Sequence, residues 1–218
     1  MQTGQFAIQA LDSPSRERLP RTMPPIPPVT QALLLANVAI FFLGELLGPG
    51  LLSTFALWPI ESGGFLPWQV VSYSFLHGNF NHLFFNMLGL WMFGSELEHL
   101  WGQRRFLVFY FASVIAAALT QLLVNYLLGT GGPTIGASGG LFGLLLAFAV
   151  LFPNRTILLF FVIPMKAKWL ALLYGVLELY QGVYVMSSGV AHFAHLGGML
   201  GGYLTLRYWR GQAPFGRR

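Results

Sequence analysis

The chain has 218 residues, of which 55% are hydrophobic and 9% charged, with a mean hydropathy of +0.63. That balance excludes an ordinary water-soluble domain and reads as an integral membrane protein. The absence of cysteine excludes disulfides, thiolate metal sites and a cysteine nucleophile, and the net charge of +5 takes its meaning from where the charges fall, not from an affinity for nucleic acid.

Residues 1–28 are polar and rich in proline (Pro20, Pro24, Pro25, Pro27, Pro28). They cannot bury enough apolar surface to fold alone and read as a flexible tail. The first apolar run starts late and lacks a small-residue cleavage site, so a cleaved signal peptide is not expected. Six apolar segments follow, at roughly 30–48, 80–101, 105–128, 137–152, 168–187 and 191–209. Each is near the ~20 residues that cross a bilayer. Between the first two lies GPGLLSTFALWPIESGGFLPWQVVSYSF, apolar but broken by glycine and proline, which suits an interfacial loop. The predicted architecture is an all-α bundle of six spans over residues 29–210, followed by a short basic tail at 211–218.

All twelve basic residues fall on one side of this plan. Arg16, Arg18 and Arg21 precede span one; Arg104 and Arg105 join spans two and three. Arg155, Lys166 and Lys168 join four and five, and Arg207, Arg210, Arg217 and Arg218 close the chain. The positive-inside rule then puts both termini in the cytoplasm, with spans two, four and six running inward.

A polar side chain in hydrocarbon is costly, so the few inside these spans are functional candidates. They are His82 and Asn86 in span two, Ser138 at the head of span four, Glu178 in span five, and His192 and His195 in span six. Ser138 to Pro153, Asn86 to Gly102 and His195 to Arg210 are each fifteen or sixteen residues apart. At ~1.5 Å per residue that is roughly 22 to 24 Å, so the three polar groups share one level below the outer surface. Overlapping GxxxG patterns (Gly136/Gly140 and Gly139/Gly143 in span four, Gly197/Gly201 and Gly198/Gly202 in span six) permit close helix approach. They are equally what plain helix packing needs. Ser138 alone also reads as an N-cap, His195 as a satisfied core histidine, and Asn86 as interhelical glue.

Together the candidates fit a nucleophile and its base. At a helix N-terminus, free N–H groups and the positive dipole end would stabilise an oxyanion formed on attack by Ser138, with His82 and Asn86 as further donors. Asp12, in the tail, is the only aspartate, and no HExxH occurs. A Ser-His-Asp triad, an aspartate pair and that metalloprotease motif are therefore excluded. GASGG matches the GxSxG nucleophile elbow in letters only, because that motif needs a strand and a soluble sheet around it. A Ser-His dyad remains, and without a carboxylate to orient the imidazole slow turnover is expected.

These residues resemble those of the rhomboid intramembrane serine proteases, over nearly the whole chain from about residue 30. GASG at 136–139 matches the family's GxSG; AHLGG at 194–198, continuing to Gly202, is similar to AHxxGxxxG; HLFFN from His82 to Asn86 matches HxxxN; Gly94, Glu98 and Gly102 fit GxxxExxxG. The resemblance implies Ser138 as nucleophile and His195 as base. It also implies an oxyanion site of His82, Asn86 and the Ser138 N–H, and structural roles for Gly136, Gly139, Glu98, Gly198 and Gly202. It implies single-pass membrane proteins as substrates, cut near their outer ends, with the bilayer as the other partner. Neither a cofactor, a metal nor nucleic acid is expected, and the bacterial inner membrane is the expected location.

The first loop of many relatives carries a Trp-Arg pair where this chain has Trp68-Gln69, which puts the hydrogen bonding of that loop in question. His192 is a possible alternative partner for Ser138, and Glu178 is expected to be protonated and hydrogen-bonded within the bundle. Two rival readings stand beside the protease: a silent relative that escorts membrane segments, and a transporter holding a metal on His192 and His195. The retained polar set argues against the first, and the expected lack of a nearby carboxylate against the second.

Overall fold

The computed structural model describes residues 25–129, 131–159, 162–185 and 191–212. The tail expected over residues 1–28 therefore lies outside the description up to residue 24, as does the C-terminal tail from residue 213. Helix α1 (Pro28–Leu47) begins on a proline, which the first helical turn accepts because its missing N–H would have no partner there. A loop with two short helices, α2 (Gly50–Phe55) and α3 (Gln69–Ser72), leads to α4 (Phe80–Gly89). A π-turn over 90–94 joins α4 to α5 (Ser95–Trp101), so the second predicted span is one helical run with a widened turn in its middle. Gly102, at φ +77°, breaks the helix and lets α6 (Gln103–Leu128) start at once in a new direction. Helices α7 (Ser138–Leu151), α8 (Ala167–Tyr184) and α9 (His192–Trp209) complete the bundle.

Among the described residues, Pro28–Leu47 and Gln103–Leu128 are the two helices both long and apolar enough to cross a membrane by themselves. α7 is shorter, at fourteen residues, and α8 and α9 carry polar residues that lower their hydropathy. The exterior nonetheless follows the pattern of a membrane protein. On α8, Leu177 and Leu179 are exposed while Glu178 between them is buried, and Trp169, Leu172 and Val176 also face outward. An apolar outside around a polar inside suits hydrocarbon surroundings, not water.

The expectation of an all-α chain needs one correction. Strands β1 (Thr156–Leu159) and β2 (Ile163–Lys166) form an antiparallel hairpin between α7 and α8, pairing Thr156 with Lys166 and Leu159 with Ile163. β-Branched Thr156, Ile157 and Ile163 favour the extended backbone, and Ile157 buries itself against Leu170 and Ala171 at the start of α8.

Glu98 ties the first two helical runs together. Its carboxylate accepts hydrogen bonds from the N–H groups of Val29 (2.9 Å) and Thr30 (2.6 Å) and from the Thr30 hydroxyl (2.8 Å). A negative charge there satisfies donors of the first α1 turn and opposes its dipole.

The centre of the bundle is α6, α7 and α9, and glycine brings them together. Gly197 and Gly201 turn toward Thr120 and Ala116 of α6, Gly198 turns toward Gly139 of α7, and Gly202 sits between Phe109 of α6 and Gly143 of α7. A Cβ on Gly143 would meet the Ser113 side chain and lie 3.0 Å from the Gly198 carbonyl; one on Gly202 would lie 3.1 Å from the Gly143 Cα. The overlapping GxxxG rows of α9 thus let it approach both α6 and α7 closely.

Candidate active site

Ser138 opens α7, and the preceding Ala137 occupies the cap position with no side-chain hydrogen bond. The serine hydroxyl is therefore not spent on capping. It lies 2.7 Å from His195 Nε2, which reaches it from the first turn of α9. The approach segment is held by the loop between α1 and α4: Leu57 and Thr134 exchange backbone hydrogen bonds of 3.0 and 2.9 Å, and the Gly136 N–H donates to the Tyr73 carbonyl at 2.9 Å. Gly136 has φ +122°, and a Cβ there would lie 2.7 Å from His82 Nε2. Only glycine serves both needs.

Phe142, one turn after Ser138, stacks on the His195 ring with centroids 4.3 Å apart and planes within 3°. The imidazole is thereby fixed in its plane. This contact was readable in principle, because residue i+4 of a helix lies beside whatever meets residue i.

His82 and Asn86 line the same cavity as Ser138 and His195, a space of about 1060 Å³. The Asn86 amide donates to the His82 carbonyl at 2.8 Å within α4, and its second N–H is a further donor. The N-cap of α4 is Asn79, whose side chain accepts from the His82 N–H. Before that helix, the His77 ring packs edge-on against His82 with centroids 4.9 Å apart. Burial, and secondarily the neighbouring His82, lower the His77 pKa to about 4.

Two expectations that assumed no carboxylate near the histidines are corrected, while Glu178 is hydrogen-bonded within the bundle as expected. A carboxylate does approach the imidazoles: Glu178 Oε2 lies 2.6 Å from His192 Nδ1 and 2.9 Å from His195 Nδ1. The first contact is an aligned hydrogen bond; the second has ion-pair length, but the ring N–H is not directed at the oxygen. The premise behind slow turnover, and behind setting a metal aside for want of a carboxylate, is thus overturned. Reasoning from the single aspartate overlooked a glutamate on a helix whose facing the sequence leaves open. The three ligating atoms lie within 4.8 Å of one another. Contacts of 2.6 and 2.9 Å are nonetheless shorter than the ~3.3 Å between ligands of a tetrahedral zinc ion, so these groups are in contact with one another.

His192 does not compete for Ser138 in this arrangement. Its Nδ1 is committed to Glu178, while His195 meets the serine. Gln69 also takes a defined place. It is fully buried, accepts from the Trp58 N–H at 3.2 Å and donates to the carbonyls of Thr54 (3.2 Å) and Gly64 (3.1 Å). The loop whose hydrogen bonding was in question is tied by this amide together with the Trp68 indole N–H, which also donates to the Thr54 carbonyl at 3.2 Å.

Apolar outside, polar within, and with a serine, two histidines and an asparagine gathered on one internal cavity, the molecule is a polytopic helical membrane protein with a hydrolase-like constellation. A Rhomboid domain model matches residues 65–211, and the chain belongs to the rhomboid family of integral membrane proteins. It is similar to Rhomboid protein 1, mitochondrial, of Saccharomyces cerevisiae, with 40% identity over 139 residues, which are 62% of this chain and 40% of that one. It is also similar to Rhomboid protease GlpG of Yersinia enterocolitica (25% identity over 187 residues) and of Serratia proteamaculans (26% over 187). In both cases the match covers 84% of this chain and 62% of the relative, so the chain spans less than two thirds of the length of these relatives.

Proposed function

We propose that this protein is an intramembrane serine endopeptidase that cleaves single-pass membrane proteins near the outer face of the bilayer with Ser138 and His195. The observation that carries the reading is the 2.7 Å contact between the Ser138 hydroxyl and His195 Nε2 on a cavity wall shared with His82 and Asn86. Family membership and the names of the GlpG relatives support it.

In the proposed reaction, His195 Nε2 takes the Ser138 proton as Oγ attacks the scissile carbonyl. The developing oxyanion is met by the Ser138 N–H, the free amide proton of Asn86 and the His82 ring. The proton on Nε2 passes to the leaving amine, and water then releases the acyl group by the reverse sequence. Backbone in a membrane helix is already hydrogen-bonded, so the substrate must unwind locally to offer its carbonyl, and helix-destabilising or small residues are expected at the cut. Six spans with both termini cytoplasmic, and residence in the bacterial inner membrane, belong to this proposal. The yeast relative is named as mitochondrial.

The test is co-expression of the protein, or its Ser138→Ala variant, with a single-span substrate tagged at both ends. A membrane-dependent fragment with the wild type alone supports the reading. Equal fragment with both would reject it.

A further inference from the structure

The Glu178 carboxylate belongs to none of the steps above, yet it touches the histidine that performs them. Glu178 is buried on α8 among outward-facing leucines, a costly position for a charge unless partners compensate. Its Oε2 stands between two Nδ1 atoms, at 2.6 Å from His192 and 2.9 Å from His195.

Tautomers give this arrangement its meaning. To accept the Ser138 proton, His195 Nε2 must be unprotonated, so in the neutral ring the proton has to reside on Nδ1. Nδ1 is the atom that faces Glu178. A carboxylate there favours the tautomer with a lone pair toward the serine, and it opposes the positive charge of the imidazolium once the proton has moved. Phe142 fixes the plane of the His195 ring, so alignment of the second contact depends on movement of the carboxylate. The aligned bond to His192 holds the carboxylate within reach meanwhile.

We propose that Glu178 is a positioning residue that orients His195 and stabilises its imidazolium, swinging from His192 onto His195 Nδ1 as the serine is deprotonated. The dyad then works as a Ser138-His195-Glu178 relay whose third member is shared with His192. No proton passes to Glu178: the Ser138 proton travels to His195 Nε2 and on to the leaving amine, while the Nδ1 proton stays in place. The other titratable groups near the pair are His82, from α4, and Tyr174, one turn before Glu178 on α8.

The inference rests on the protease reading, and two measurements separate their fates. The first is kinetic: wild type, Glu178→Gln and Glu178→Asp in detergent, cleaving a single-span substrate. Glu178→Gln should lower kcat about 10- to 100-fold with KM unchanged and the unfolding temperature nearly so. That is smaller than the ~10⁴-fold loss when an aligned triad carboxylate is neutralised, because the resting contact here is off-axis. Glu178→Asp, which keeps the charge, should recover part of the loss. A Gln variant with wild-type kcat, or one whose loss tracks unfolding and is not relieved by Asp, would overturn the inference. The second measurement needs no activity: nitrogen chemical shifts of ¹⁵N-histidine-labelled protein. They should report His195 with its proton on Nδ1 in the wild type and a shift toward the Nε2 tautomer in Glu178→Gln. A His195 protonated on Nε2 in the wild type would reject the role of Glu178 even if the enzyme is active. The expected spectra from a protein that cleaves nothing would fault the protease reading and leave the Glu178–His195 relationship standing.

Discussion

A methyl group added to Gly198 would fall on the carbonyl oxygen of Gly139. The backbones of α7 and α9 are therefore in direct contact one residue after Ser138 and three after His195. The 2.7 Å hydroxyl–imidazole contact depends on that closeness.

Gly198→Ala should consequently force the helices apart, costing about 1 to 3 kcal/mol as overpacking does, and should lower activity more than it lowers stability. Thermal unfolding and the rate of serine labelling, measured together, check this. Gly44→Ala is the control: nothing lies within 4 Å of its added Cβ, and alanine is the better helix former, so stability should hold or rise slightly. Equal behaviour of the two variants would contradict the packing account.

The loop prediction concerns Gln69. Replacing it with alanine strands the Trp58 N–H and the Gly64 carbonyl, and leaves the Thr54 carbonyl with the Trp68 indole N–H as its remaining donor. Each stranded buried group costs about 1 to 3 kcal/mol, less where water can enter. Hydrogen exchange over residues 54–69 should accelerate markedly in Gln69→Ala while the α6–α9 core stays protected. Unchanged exchange would show that the amide does not staple the loop.

His77 predicts a pH dependence. Its pKa is lowered by burial to about 4, so the folded protein holds it neutral while the unfolded chain binds a proton below ~6.5. Stability from this group is complete above the unfolded value and is lost as pH falls from there toward 4, on the order of 3 kcal/mol by pH 4. Unfolding temperatures of wild type and His77→Phe across pH 7 to 4 should converge or cross as the histidine's penalty grows. Parallel curves would contradict it.

The helical runs at 80–101 and Gln103–Leu128 were legible, expected at 80–101 and 105–128, because each is largely apolar and Gly102 and Gly129 mark their ends. That Ser138 meets an imidazole of the last helix was legible through small residues on both helices, whereas the choice of His195 over His192 came from the family resemblance. Less accessible were features fixed by tertiary facing. Glu178 lies fourteen residues from His192 in sequence and on another helix, and periodicity alone does not say which way α8 turns. The hairpin at 156–166 was missed because an apolar run with scattered polar residues reads equally as interhelical loop. Gln69 was noticed as a departure, but its carbonyl and amide partners sit up to fifteen residues away in an irregular loop with no period to read.

The most direct test of the central claim is labelling by a fluorophosphonate probe in detergent or membranes, applied to wild type, Ser138→Ala, His195→Ala and the double variant. The account predicts covalent labelling of the wild type at Ser138, none in Ser138→Ala, and a loss in His195→Ala about as complete as in the double variant, because nucleophile and base act as a unit. Wild-type labelling that survives in His195→Ala, or that maps to a serine other than Ser138, would contradict it.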